Sequence, residues 1–359
     1  MRVLFHLIGS EVGGGQQVAA DIATGLRARG HGIGVLVPDR GPALARFEEA
    51  GACIHVVDLG SLRTPWHIAA AARVVRDYDL LYSHTSTQGE ILGSAAARLA
   101  RRPQLVHRHS YLDFARNPHR RRVQRALYRA AVGGRPVIAV AEHIRRELGE
   151  VGVVDVVTIP NGTELRDEPL RSDSGELQIG VLGRFDAQKG IDIFIEAAHR
   201  AKLSRAASWT AAGPPGPDPA YVTELQRLAA AAGVALRGRV AADDFLGELD
   251  IVVVPSRYEG LPLVVLESLA LGRAVVGSDI PGIRAVLGDG AGVLVPPNDA
   301  AALAAAIEAL AADDALRREL GARGRELVHD RYDVRRTVER TVEVVERAGL
   351  SRGRSERRA

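Results

Sequence analysis

Short apolar runs alternate with helix-period segments along the chain, and they do so in two successive series. The first series places VLFHLI before QQVAADIATGLRARG, then GIGVLVP, ALARFEEAG and CIHVVDL. It continues through DLLYSH, GEILGSAAARLA, QLVHRH, a basic helical segment near 118–131, PVIAVA and VVTIPNG. The second opens at LQIGVLGRF and runs through GIDIFIEAAHRA, SWTAAG, AYVTELQRLAAAAG, VALRGRV, DDFLGEL, DIVVVP, PLVVLESLALG, AVVGSD and AGVLVP. Apolar strand, crossover helix, apolar strand is how βαβ units on a parallel sheet read in sequence. Two such series without a short fixed repeat predict an α/β protein of two Rossmann-like, doubly wound domains facing each other across a cleft. A length of 359 residues suits two domains, each burying its own core. Residues 1–166 form the expected N-terminal domain and 177–333 the C-terminal one. Between them, 167–176 (DEPLRSDSGE) has the polarity and turn residues of a linker. The amphipathic stretch 334–350 could cross back to either domain, and the charged tail 351–359 is expected to be disordered.

Composition narrows the function classes. Hydrophobic residues at 46% and charged residues at 25% describe a folded globular protein. With 47 basic against 44 acidic residues and a net charge of +3, the balance does not point to a nucleic-acid partner. The abundance of Ala, Arg and Gly reads as the codon bias of a GC-rich, bacterial genome. A single cysteine, Cys53, excludes an intramolecular disulfide and a Cys-rich metal site, and it fits a reducing cytoplasm. Its side chain is expected as a small core residue. The start of the sequence shows no cleavable signal pattern and no segment approaches about 18 continuous apolar residues. A cytoplasmic protein is expected, with contact at the inner face of the membrane left open.

In an open parallel sheet, ligands bind beyond the carboxyl ends of the strands, where helix N-termini also point. LGRFDAQKG, 182–190, leaves a strand with Gly183 and Arg184 and reaches Lys189 just before a helix. An Arg fork and a Lys point charge there suit a diphosphate, although two solvated cations in a surface loop are the plainer reading of this segment alone. RYEGLPLVVLESLA, 257–270, follows the strand DIVVVP and sets Glu259 in a loop and Glu267 about a turn and a half into a helix that starts at Pro262. Two carboxylates beside two cations could hold the hydroxyls and the diphosphate of one nucleotide sugar. His107 and His109, two apart at the end of QLVHRH, point the same way if the strand continues that far. His84 ends the neighbouring strand, where packing is its plainer role. Asp77-Tyr78-Asp79 matches the Asp-x-Asp of metal-binding transferases but precedes its strand, at the wrong end of the sheet, and reads as a solvated turn. No His/Asp/Glu cluster has metal-ligand spacing, so no metal is expected.

GRFDAQKG together with EGLPLVVLE resembles the signature of family 4 glycosyltransferases, retaining enzymes of the GT-B fold. The likeness extends over nearly the whole chain, through GGGQQVAADIATGLRARGH, DLLYSHTS, VHRHS, AVAEHIRREL, IPNG and GVLVPPND. The resemblance implies that Arg184 and Lys189 hold the donor diphosphate and stabilise it as it leaves. It implies that Glu259 contacts the donor sugar, Glu267 the ribose, and the backbone of Gly260 and Leu261 the phosphates, with Gly183 beside them. It places the base near Arg239 and Val240, makes His109 the histidine facing the donor sugar, and makes Gly13, Gly14 and Gly15 a loop closing on donor and acceptor. A plain βα turn is the alternative for that loop, which lacks the GxGxxG spacing of a dinucleotide site.

The expected activity is hexosyl transfer from a UDP- or GDP-linked sugar to an acceptor hydroxyl on a saccharide, a lipid-linked molecule or a small molecule, with no cofactor and no metal. An epimerase of related fold or a non-catalytic nucleotide-sugar-binding subunit are the alternatives. The segment 116–130 sets Arg116, Arg120, Arg121, Arg122, Arg125 and Arg129 around a thin apolar stripe. It reads either as a solvated helix or as a weak peripheral contact with anionic lipid.

Overall fold

The computed structural model describes residues 1–59, 65–115, 117–165 and 175–350. Arg116, most of the expected linker and the tail 351–359 lie outside the described residues. The chain divides into two compact units, Met1–Asn161 with the segment from Arg335 onward, and Gly162–Val334.

The first unit holds seven strands: β1 Arg2–Leu7, β2 Gly32–Val37, β3 Cys53–Val56, β4 Leu80–His84, β5 Gln104–Arg108, β6 Val137–Ala139 and β7 Val156–Thr158. They pair in parallel in the order β3-β2-β1-β4-β5-β6-β7. The second unit holds β8 Leu177–Leu182, β9 Ala207–Ala212, β10 Ala235–Arg237, β11 Ile251–Val254, β12 Ala274–Ser278 and β13 Val293–Val295, ordered β10-β9-β8-β11-β12-β13. Helices on both faces explain the runs of apolar residues: every residue of β4, β5, β11 and β12 is buried. In each sheet the strand order reverses at one place, between β1 and β4 and between β8 and β11. Each switch point opens a crevice past the strand ends of its own sheet, and most of the residues singled out from sequence stand near one or the other.

The C-terminal helix Val334–Leu350 buries Thr337, Thr341, Val342, Val345 and Ala348 within the first unit. It lies against the helix Gly14–Ala28 so closely that a Cβ on Gly25 would stand 2.2 Å from Val338 Cγ1. His31 Nε2 lies 2.9 Å from Glu346 Oε1, and Thr337 Oγ1 donates to the carbonyl of Pro160 at 3.0 Å.

Several expectations change. Cys53 is exposed rather than part of the core, because β3 is the edge strand of its sheet. The Asp77-Tyr78-Asp79 turn is only partly solvated. Tyr78 is buried and bonds His55 at 2.8 Å, while Asp79 Oδ2 accepts the amide of Arg2 at 2.6 Å, which ties the starts of β1 and β4 together. The helices Pro65–Arg76, Pro281–Leu287, Ala300–Ala312 and Asp314–Arg331 were not separated by the alternation; the third is so rich in alanine that its apolar stripe hardly stands out.

Gly25→Val should remove the close seat of the last helix and cost about 1–3 kcal/mol, read as a lower urea midpoint. An unchanged midpoint would show that this contact does not hold the C-terminal segment.

Candidate active site

In the second unit two loops meet past the ends of β8 and β11. The first, 183–190, is folded on Asp186, whose carboxylate accepts Arg184 Nε at 2.5 Å and the amide of Lys189 at 3.2 Å. It ends at Gly190, which caps the helix Ile191–Arg200 in the left-handed region (φ 66°); a Cβ there would stand 2.1 Å from the carbonyl of Pro255. Only glycine lets the two loops approach this closely.

The second loop, 255–262, is laced to the first. Arg257 donates its amide to Gln188 O at 2.8 Å, reaches Ala187 O at 2.6 Å, and grips Asp192 through both guanidinium ends at 3.0 and 2.6 Å. Tyr221 holds the same carboxylate at 2.7 Å. A bidentate Arg–carboxylate pair fixes orientation as well as distance. Sequence reasoning passed over Arg257, Asp192 and Tyr221, whose spacing in the chain gives no signal of this network.

The lacing sets Lys189 Nζ 2.6 Å from Glu259 Oε1, and Ser256 Oγ donates to that oxygen at 2.9 Å. Glu259 and Glu267 are both buried, at 8% and 9% exposure, and the charge of Glu259 is compensated by a cation and a hydroxyl. Arg184 is half exposed and is held by Asp186. Gly260 and Leu261 are buried, and the helix Leu263–Ala270 follows with no side-chain cap on its first amides. An uncapped helix start favours an anion. The expected placement of Pro262 is shifted by one: it is the N-cap, in extended conformation, and Leu263 is the first helical residue, so Glu267 stands little more than one turn in. Gly282 abuts this loop, since a Cβ there would stand 2.5 Å from the carbonyls of both Glu259 and Gly260. Gly183 lies against the Lys189 stem, and Arg239 and Val240 follow the end of β10, Arg239 exposed.

In the first unit the switch point gathers four histidines. His6 comes from β1, His84 from β4, and His107 and His109 from β5 and the residue past its end. The rings of His107 and His109 stack at 4.4 Å, which confirms that they share a face. His84 Nδ1 lies 2.9 Å from His109 Nε2, and Tyr82 OH lies 2.7 Å from His107 Nδ1. Burial pushes His6 down to about 4 and His109 down to about 3, the charge on Arg108 adding to the latter; burial also holds His84 and His107 well below the ordinary imidazole range. All four are therefore neutral near pH 7 and can accept or donate single hydrogen bonds without carrying charge.

Beside them the expected glycine loop is mostly helix: Gly13 is the N-cap of Gly14–Ala28, with Gly14 and Gly15 in its first turn. A Cβ on Gly15 would stand 3.5 Å from His109 Cδ2, so that turn lies against the histidine. Behind His109, Arg108 is fully buried and bonds Glu90 at 2.9 Å, Thr87 at 3.0 Å and the carbonyls of Ser110 and Tyr111, which fixes the loop that follows β5. His84, His107 and His109 converge from neighbouring strands with their ligand atoms within 4.8 Å of one another, a juxtaposition that spacing along the sequence does not show.

The fold and these loops define the class: a two-domain α/β protein of the GT-B type. Residues 12–167 match the family described as Glycosyltransferase Family 4, and 176–313 match Glycosyl transferases group 1. A phosphatidyl-myo-inositol mannosyltransferase of Mycobacterium leprae is 30% identical over 357 residues, 89% of each chain. An alpha-D-kanosaminyltransferase of Streptomyces kanamyceticus is 33% identical over 184 residues, 47% of this chain and 45% of that protein. The chain thus spans about half the length of that relative, and 60% of the teichuronic acid glycosyltransferase TuaC of Bacillus subtilis. Among solved structures, HepE of Anabaena in complex with UDP-glucose superposes with a TM-score of 0.83 at 21% identity, over 96% of this chain and 99% of that one. The chain belongs to the group 1, family 4 glycosyltransferases.

The neutral histidines carry a pH consequence. Below about pH 6.5 the unfolded chain takes up protons that the folded one refuses, so stability is fully present above that pH and is lost as pH falls toward 4. His6 alone accounts for roughly 3 kcal/mol across that window. Thermal melting from pH 7 to 4 should show a steep fall that becomes shallower in His6→Gln; equal slopes in both proteins would contradict the assignment.

Proposed function

We propose that the protein is a retaining, metal-independent glycosyltransferase that moves a hexosyl group from a UDP- or GDP-linked sugar to an acceptor hydroxyl, in the making of a cell-surface polysaccharide, a glycolipid or a natural product. The observation that carries this reading is the Lys189–Glu259 pair at the switch point of the second sheet, with Arg184 half exposed beside it. A lysine neutralised by a carboxylate is held in place without a ligand; a diphosphate gives it a second anionic partner and leaves Glu259 oxygen free to accept a sugar hydroxyl.

In this reading Arg184, Lys189, the backbone at Gly260 and Leu261, and the start of the following helix bind the diphosphate and stabilise the charge that grows as it departs. They take the role a metal plays in other transferases. Glu267 accepts from the ribose hydroxyls, and Arg239 and Val240 border the base. His109, kept neutral by burial, hydrogen-bonds the donor sugar, and the turn Gly13–Gly15 holds it in place. As the bond from the anomeric carbon to the diphosphate oxygen breaks, an oxocarbenium-like sugar forms. The acceptor oxygen bonds that carbon on the face the diphosphate leaves, and its proton passes to a phosphate oxygen. No second carboxylate is needed as a nucleophile, since Glu267 is committed to the nucleotide.

The names of the relatives support this choice: HepE was solved with UDP-glucose, and the aligned relatives are named as mannosyl- and kanosaminyltransferases. A weak membrane contact is proposed for the helix Pro118–Val132, which exposes Val123 and Leu127 among Arg120, Arg121, Arg122 and Arg125, three of them lining an open basic pocket. Among the described residues no helix is long and apolar enough to cross a membrane.

Lys189→Ala and Glu259→Ala should each lower turnover by about 100-fold or more in protein that is still folded by circular dichroism; near-normal turnover in either removes its role. NMR of the product should show the donor's anomeric configuration kept, and inversion would refute the front-face route. Vesicles rich in anionic lipid should bind the protein in a salt-sensitive manner, and co-flotation that is absent would remove the membrane contact.

A further inference from the structure

The rings of His84, His107 and His109 each carry one buried nitrogen with no hydrogen-bond partner among the described residues: His84 Nε2, His107 Nε2 and His109 Nδ1. A buried polar atom left unpaired costs about 1–3 kcal/mol, so the cluster is not fully satisfied as it stands. The other three nitrogens of the same rings are spoken for, by the His84–His109 contact and by Tyr82 on His107.

From this geometry we propose that His84, His107 and His109 form a binding site for a transition-metal dication, Zn2+ by preference, with the fourth position open toward Gly15. His107 and His109 stand two apart on one strand face and His84 on the neighbouring strand, so three imidazoles reach one point from a rigid sheet. Their ligand atoms lie within 4.8 Å of one another, with His84 Nδ1 and His109 Nε2 at 2.9 Å across the contact that an ion would replace, against about 3.4 Å for nitrogens around a tetrahedral ion with Zn–N bonds of about 2.1 Å. A modest ring rotation closes that difference, and His109, past the end of β5 and only partly buried, has the room for it. The rings are neutral, the form that binds metal. An all-imidazole set suits zinc and its neighbours and is unsuited to Mg2+ or Ca2+, which take oxygen. Tyr82 OH on His107 Nδ1 is the kind of outer contact that orients a ligating ring. The cation next in the chain, Arg108, is offset by Glu90 at 2.9 Å.

Zinc at this point would take His109 away from the donor sugar, so the site would be inhibitory; that consequence rests on the role proposed above for His109, whereas the binding itself does not. The test uses the full chain stripped of metal. Zinc chloride alone should bind at one equivalent and raise the melting temperature, and Co2+ should give the intense visible absorption of a four- or five-coordinate nitrogen site. His84→Ala and His107→Ala should each weaken zinc binding by more than about 10-fold. A pale octahedral cobalt spectrum in the parent protein, or zinc affinity unchanged in the folded variants, would overturn the site. In a transferase assay, equimolar zinc should stop turnover and EDTA restore it. Full turnover of the zinc-saturated protein would overturn the inhibition, whereas no turnover before zinc is added would count against the transferase reading instead.

Discussion

A parallel sheet covered on both faces has no free side, and this constraint organises both halves of the molecule. One strand of each central pair, β4 and β11, is buried throughout, so polar chemistry gathers toward the strand ends, and the reversal of strand order fixes where along that edge a crevice opens. In the second unit the crevice receives Lys189 from the loop after β8 and Glu259 from the loop after β11. In the first it receives histidines from β1, β4 and β5. The same topology therefore yields an ionic site in one unit and a neutral one in the other.

What separates the two is how burial is compensated. Glu259 keeps its charge because Lys189 and Ser256 meet the same oxygen, and the meeting depends on Arg257 and Asp192 lacing two loops together. The histidines have no such counter-ion and shed their protons instead. Their charge-free state suits the two uses proposed for the cluster, hydrogen bonding to a sugar and capture of a metal dication.

Much of this was legible in the chain. The apolar runs gave the strands because residues buried on both faces must be apolar throughout, and GRFDAQKG and EGLPLVVLE announced their loops because glycine, proline and charge coincide there. Other features left no local trace. Cys53 looked like core because its neighbours are apolar, yet its strand lies at the sheet edge, a matter of topology. His84 and His109 are 25 residues apart and meet only through the pairing of β4 with β5. Arg257, Asp192 and Tyr221 likewise join residues far apart in sequence. Pro262 was misjudged by a single position, since a proline suits both the N-cap and the first helical residue.

The central claim is that the Lys189–Glu259 site receives a nucleoside diphosphate sugar. Calorimetric titration of the whole protein with UDP, GDP, ADP and dTDP sugars tests it most directly. The account predicts saturable binding of one equivalent of at least one of them, weakened by more than about 10-fold in Lys189→Ala. No binding to any nucleotide sugar, or equal affinity in the parent and the variant, would contradict it.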